Sequence, residues 1–206
     1  LRSVARERRR EVVEHMLLDL LAMPRNIRDT AEATVRALEQ YELGDASLVA
    51  IAVEGDEPIH PVAARGYPRE WIESAPALAP GLAPASPTLQ RVRTPHPWVD
   101  GANFRGRRRP WVAKIPILSD GDPIGIVHVI TRRRRVLRDR AILESLTRHL
   151  SAAFDHAALY EAAYTRERTL EELDSRRREF MAAIAHEIRT PLTAIQAFAD
   201  LLQAGQ

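Results

Sequence analysis

Residues 110–131 read PWVAKIPILSDGDPIGIVHVIT, and this stretch decides the fold. Two apolar runs, 110–118 and 123–131, flank Ser119, Asp120, Gly121 and Asp122. An Asp-Gly pair between β-prone runs is a strong hairpin signal, because the tight primed turn needs positive φ at its centre. In the second run Ile124, Ile126, His128 and Ile130 alternate with Val127 and Val129, so both faces carry apolar side chains. That pattern predicts a central strand covered on both sides.

Upstream, the runs 47–53 and 59–64 are separated by Gly55, Asp56, Glu57 and Pro58, a turn cluster that predicts a second hairpin. Before it, 27–43 places Ala31, Thr34, Val35 and Leu38 on one helical face and is expected to end with Gly44 as its C-cap. Residues 2–22 carry Val12, Val13, Met16, Leu17, Leu20 and Leu21 at spacings of 3 and 4, an amphipathic helix closed by Pro24. The Pro- and Ala-rich stretch 68–97 predicts a loop with one or two short helices.

Downstream, no helix breaker intervenes between Arg138 and Pro191. Leu143, Leu146, Leu150, Ala153, Ala157, Tyr160 and Tyr164 follow at alternating steps of 3 and 4. Such a seam asks for a partner helix, and a parallel dimeric coiled coil is the simplest source. It weakens over 166–178 and resumes with Phe180, Ile184, Glu187, Pro191, Ile195, Phe198 and Leu202. The chain thus divides into an N-terminal amphipathic helix (1–24), a sheet-bearing domain (25–160), a helical linker (161–178) and a terminal helix (179–206).

Composition narrows the function classes. At 206 residues, 45% hydrophobic and 28% charged, the chain is globular in balance. Of its 30 basic residues only Lys114 is a lysine, and a net charge of +2 gives no ground for a nucleic-acid partner. Without cysteine there is no disulfide, no thiolate metal site and no thiol for attaching a chromophore. No apolar run approaches the roughly 18 residues of a membrane span, so the expectation is a cytoplasmic chain with no membrane segment of its own, compatible with a parent anchored through upstream segments. Beginning at Leu1 and stopping at Gln206 soon after a motif, it reads as a fragment.

That motif lies at 180–192, FMAAIAHEIRTPL. A Phe six residues before a His, followed by His-Glu-x-Arg-Thr-Pro-Leu, resembles the H box of histidine kinase dimerisation domains. The residue types suit the chemistry. An imidazole with an ordinary pKa of about 6.5 is a competent nucleophile near neutrality. The resemblance implies that His186 accepts the γ-phosphoryl group of ATP and passes it to an Asp of a response regulator. It implies that Glu187 orients the imidazole or takes its proton. It also implies that Thr190 positions the water that dephosphorylates the regulator. Pro191, lacking an N–H and crowding the carbonyl of Glu187, is expected to kink the helix. The competing reading is an ordinary surface histidine on a coiled coil. A zinc-protease reading fails, since Thr190 stands where His-Glu-x-x-His needs its second His.

Histidine kinases bind ATP and Mg in a separate domain with an Asn-bearing helix and a Gly-rich lid. Here Asn26 and Asn103 are the only asparagines and Gly-x-Gly is absent, so the chain alone is expected to be inactive and to hold no cofactor of its own. Implied partners are a second copy, a response regulator and the parent's ATP-binding domain. Residues 101–106 mimic the start of a P-loop, but Arg107 and Arg108 replace its Lys-Ser/Thr.

The element order before the motif resembles a GAF domain, most closely over 111–117 and 122–127, and less specifically at Ala64-Arg65-Gly66-Tyr67 and Pro80-Gly81-Leu82. The resemblance implies an α+β fold, a six-stranded antiparallel sheet with helices on its back; a PAS domain is the rival. GAF domains bind small molecules or simply transmit contacts, so the ligand is left open. His128 is the candidate haem or metal ligand, against a satisfied core histidine, and a haem or small-ligand receptor or a purely structural dimerisation module are the alternative functions. His96, the pair His149 and His156, and the arginine run 132–135 read more simply as surface features.

Overall fold

A computed structural model of the chain describes residues 11, 13, 15, 26–52, 58–77, 83–92, 97–102, 110–132 and 137–204. Helix α1 (Ile27–Gln40) starts at Asn26, whose side-chain oxygen accepts the N–H of Asp29 at 2.7 Å. This cap satisfies one orphan donor, and Asp29 places a negative charge at the positive end of the helix. Its inner face buries Ala31, Val35 and Leu38 together with Thr30 and Thr34. Both threonine hydroxyls donate to carbonyls one turn back, at 2.9 and 2.8 Å, so their burial leaves no donor unmet.

The helix does not end at Gly44. Glu42 takes the left-handed conformation (φ 53°), the Leu43 N–H reaches the Leu38 carbonyl at 2.9 Å, and the Glu42 N–H reaches that of Glu39 at 3.0 Å. This is a Schellman cap with a non-glycine residue at its turn, closed by the buried pair Leu38 and Leu43. Gly44 is required for a different reason: a Cβ there would lie 2.5 Å from Cγ1 of Val129.

Five strands form one antiparallel sheet among the described residues, one fewer than the resemblance implied: β1 (Ala46–Ile51), β2 (His60–Arg65), β3 (Thr88–Arg91), β4 (Trp111–Ser119) and β5 (Asp122–Thr131), in the order β2-β1-β5-β4-β3. Both expected hairpins are present, and β5 is the central strand, buried throughout 125–131. Asp120 (φ 51°) and Gly121 (φ 94°) make the two-residue turn of the β4–β5 hairpin. The alternation along β5 holds from Ile126 onward but fails at Ile124. Ile117 opposes Gly125 and Leu118 opposes Pro123, so Ile124 is the extra residue of a bulge. It therefore packs with Val127 and Val129, not with Ile126.

On one face of the sheet Val49, Ile115, Ile117, Val127 and Val129 meet α1, and they meet the first turns of a long helix, α4 (Arg140–Ala204), through Leu143, Leu146, Leu150 and Phe154. Val13 joins this cluster; the rest of the expected N-terminal helix lies outside the described residues, Glu11 and His15 excepted. The Ser151 hydroxyl accepts the backbone N–H of Leu118 at 2.8 Å, tying α4 to β4. This corrects the expectation that the whole seam seeks a partner helix. Leu143, Leu146 and Leu150 are covered by the chain's own sheet, and Ala153 and Ala157 are also buried within the single chain. Exposure begins at Leu159, Tyr160 and Tyr164.

The other face carries Leu48, Ala50 and Ile126 under Trp98, and Ala46, Val112 and Ile130 under Val92 and Val99. One short helix, α2 (Arg69–Glu73), lies within the 68–97 stretch as expected; a second, α3 (Pro97–Asp100), begins at its last residue, and the stretch also supplies the strand β3, which the expectation of a loop with short helices did not include. The two helices are latched by aromatic contacts. Tyr67 stacks on Trp71 with centroids 4.6 Å apart and donates its hydroxyl to the Trp98 carbonyl at 2.9 Å. The Trp98 indole N–H in turn donates to the Pro76 carbonyl at 2.9 Å. Burial pushes the Tyr67 phenol well above its ordinary pKa.

The chain separates into two compact units, Leu1–Glu161 and Ala162–Gln206.

Candidate functional site

Within the second unit, 180–192 is helical throughout, including Pro191. Arg168 with Glu172 (3.8 Å) and Asp174 with Arg178 (3.0 Å) form i,i+4 ion pairs that support the helix where its apolar pattern is thinnest. At roughly 100° per residue, Phe180, Ile184, Ile188, Pro191, Leu192 and Ile195 fall in one sector of the helix, and His186 falls on the opposite side. The apolar sector is open in the single chain: Phe180 is 64% exposed and Ile195 67%. Covering that stripe would leave the His186 imidazole facing outward. His186, Glu187 and Arg189 are all exposed.

Thr190 follows His186 by one turn, which places the two positions on one face; its side chain lies outside the described residues. Pro191 offers no N–H to the Glu187 carbonyl, so the helix lacks one ladder bond beside His186. The three sequence-predicted residues His186, Glu187 and Thr190 thus share a single turn and a half of helix. The His186 imidazole, exposed on the helix and followed by the exposed Glu187, is a group that can act as a nucleophile.

In the first unit His128 is fully buried on the face shared with Ile126 and Ile130, edge-on to Trp98 with centroids 5.6 Å apart. Among the described residues no group of three or more His, Asp or Glu side chains is placed to hold a metal. His149 is engaged one turn back through its Nδ1 and the Ser145 carbonyl (2.7 Å), and His156 is exposed. His96, most of the P-loop-like stretch and 133–135 of the arginine run lie outside the described residues. Arg132 is held through its backbone N–H by the Asp45 carboxylate at 2.6 Å. No helix among the described residues is long and apolar enough to cross a membrane.

Lys114, the one lysine among 30 basic residues, stands on β4 directly between Thr88 of β3 and His128 of β5.

Residues 176–206 match the His Kinase A (phospho-acceptor) domain. Among curated proteins, the circadian input-output histidine kinase CikA of Synechococcus elongatus is 29% identical over a region covering 58% of this chain and 20% of that protein. The chain therefore spans about one fifth of the length of the curated relative it matches. Among solved structures, the GAF domain of a phosphoenolpyruvate-protein phosphotransferase from Coxiella burnetii is similar with a TM-score of 0.56 at 19% identity, covering 74% of this chain and 95% of that one. The GAF domain of a protein described as a sensor histidine kinase from Pseudomonas syringae pv. tomato gives a TM-score of 0.55 at 19% identity, covering 80% and 97%. At such identities the likeness establishes the fold, and the fold of the sheet-bearing unit is GAF.

Proposed function

We propose that this chain, a GAF-fold unit followed by the H-box stretch of a phospho-acceptor domain, is the sensing and phospho-accepting part of a two-component sensor histidine kinase. The observation that carries the reading is the complete His-Glu-x-Arg-Thr-Pro-Leu motif with His186 exposed on its helix. A ring nitrogen of His186 attacks the γ-phosphorus of ATP held with Mg by the catalytic domain of the parent kinase. The bond to the β,γ-bridging oxygen breaks and ADP leaves. Glu187 orients the ring and takes its proton, and the phosphoryl group then passes to an Asp carboxylate of a response regulator.

In this reading two copies pair through the open stripe of α4, which contains Leu170, Leu173, Phe180, Ile188 and Ile195. Pairing removes these side chains from water and leaves His186 outward for the catalytic domain and the regulator. Thr190 positions the water for dephosphorylation. The chain by itself does not turn over ATP, and it works in the cytoplasm.

The test is His186→Gln in the intact parent kinase, with phosphoryl incorporation followed as acid-labile label. Incorporation should vanish while dimerisation is kept. Label retained at the normal level overturns the assignment.

A further inference from the structure

A cleft of about 430 Å³ opens at the β2 margin of the sheet, between α1, α2 and β2 itself. Val35, Val62 and Ala63 in its wall belong to the helix-side cluster, so it opens on the α1 side and not under Trp98. Arginines from all three elements line it: Arg28 and Arg36 two turns apart on α1, Arg65 at the end of β2, and Arg69 at the start of α2. The carboxylates in the lining are Glu32 and Glu73. Glu32 is shared between Arg28 at 4.0 Å and Arg36 at 3.6 Å, both longer than a hydrogen bond. Arg65 is taken by Glu39 at 3.2 Å, from outside the lining. The side chains of Arg69 and Glu73 have no ion pair or hydrogen bond among the described residues. The forks of Arg28, Arg36 and Arg69 therefore keep their donors for another acceptor, and positive charge is in excess even with Glu39 counted.

Like charges gathered round a concave surface repel one another, and an anion seated among them relieves the repulsion. The planar guanidinium matches carboxylate and phosphate oxygens alike, but bidentate pairing with one fork occupies both oxygens of a carboxylate, and two further forks remain. A phosphate monoester offers three terminal oxygens and nearly two negative charges at neutral pH. The cleft is larger than a phosphate ion and falls in the range of small-molecule sites, roughly 300–1,000 Å³. Val35 is buried and Val62 and Ile72 are half-buried along it, so an apolar body can lie beside the charged end. We propose that this cleft binds a small phosphate monoester, its phosphoryl oxygens accepting from Arg28, Arg36 and Arg69 and its organic body lying on Val62 and Ile72. The site is built entirely within the first unit, and the ester is a ligand there: no bond to its phosphorus forms or breaks.

The probe is phenyl phosphate, titrated calorimetrically into the full chain at neutral pH and low ionic strength. Three anions are compared with it. Phenyl sulfate keeps the shape with one charge fewer, benzoate keeps the ring but carries a carboxylate, and inorganic phosphate lacks the ring. Phenyl phosphate should bind with a Kd on the order of a millimolar or below, about fivefold or more tightly than each of the three. Arg36→Gln and Arg69→Gln should each weaken it about fivefold or more at unchanged Tm, both side chains being exposed. Arg91→Gln, exposed at the other margin of the sheet, removes the same charge and should leave the affinity within about twofold. The proposal is overturned if no saturable binding occurs at millimolar concentration, or if any of the three comparison anions binds as tightly as phenyl phosphate. A loss at Arg91 equal to that at Arg36 and Arg69 overturns it too, since binding would then follow net charge alone. None of these readouts depends on phosphotransfer, so the His186 assignment stands or falls on its own test.

Discussion

Replacing Leu146 by alanine tests where the first half of the long seam is buried. Leu146 has no exposed surface and packs in the cluster formed by the sheet, α1 and α4 of one chain. Removing a fully buried leucine side chain costs about 3 kcal/mol, the lost transfer energy plus the cavity left behind. For a unit of this size, 1 kcal/mol moves Tm by about 2–4 °C, so Leu146→Ala should lower it by about 6–12 °C. Leu173, 55% exposed, is the control: in the isolated chain its truncation should change stability by less than about 0.5 kcal/mol. Calorimetry across a hundredfold range of protein concentration separates the two. The Leu146→Ala deficit should be the same at every concentration, whereas Leu173→Ala should alter only the concentration dependence that dimerisation imposes. A Leu146→Ala deficit below about 1 kcal/mol, or one that disappears on dilution, would mean that another chain covers this residue, and the intrachain packing would be wrong.

Three further outcomes follow from particular contacts. A Cβ at Gly125 would lie 2.7 Å from the Ala50 carbonyl, and backbone cannot step aside, so Gly125→Ala should destabilise by about 1–3 kcal/mol in denaturant melts while Gly121→Ala, with open space but positive φ, loses about 1. Tyr67→Phe should cost about 1 kcal/mol at neutral pH through the lost hydrogen bond to Trp98. Because burial raises the Tyr67 phenol, the unfolded chain releases that proton first. The native stability linked to it is complete below about pH 10 and is lost as pH rises beyond, and the variant should flatten that alkaline slope in pH-dependent melts. In the parent kinase, Thr190→Ala should leave His186 labelling intact and slow dephosphorylation of the regulator about tenfold or more, followed as decay of the phosphorylated regulator; unchanged decay removes Thr190 from that role.

The hairpins were legible because a period of 2 and an Asp-Gly turn are both local. The H box was legible for the same reason: His186, Glu187 and Thr190 sit within one short helical stretch. What failed was information carried by distant neighbours. Gly44 looked like a cap, yet the helix end is satisfied by Glu42, and the glycine answers to Val129 from a strand far along the chain. The bulge at Ile124 is set by the partner strand's register, which alternation along one strand does not encode. The seam at 143–157 showed that something apolar must lie against it, but an apolar stripe fits a sheet as well as a second helix. The row of Thr88, Lys114 and His128 exists only once three strands are aligned.

The two outer strands of the sheet, among the described residues, also bear on how copies of this chain would meet. An unpaired strand edge invites another strand to add on, and the additions can continue without limit. Here β3 has only four residues and finishes on Gln90 and Arg91, both exposed. At the other margin β2 contains Pro61, which brings no N–H to a newcomer, and ends on the exposed Arg65. Neither margin is a good template for an open-ended stack. The pairing proposed through the helical stripe is of the other kind: a two-fold pair closes on itself and growth stops at two.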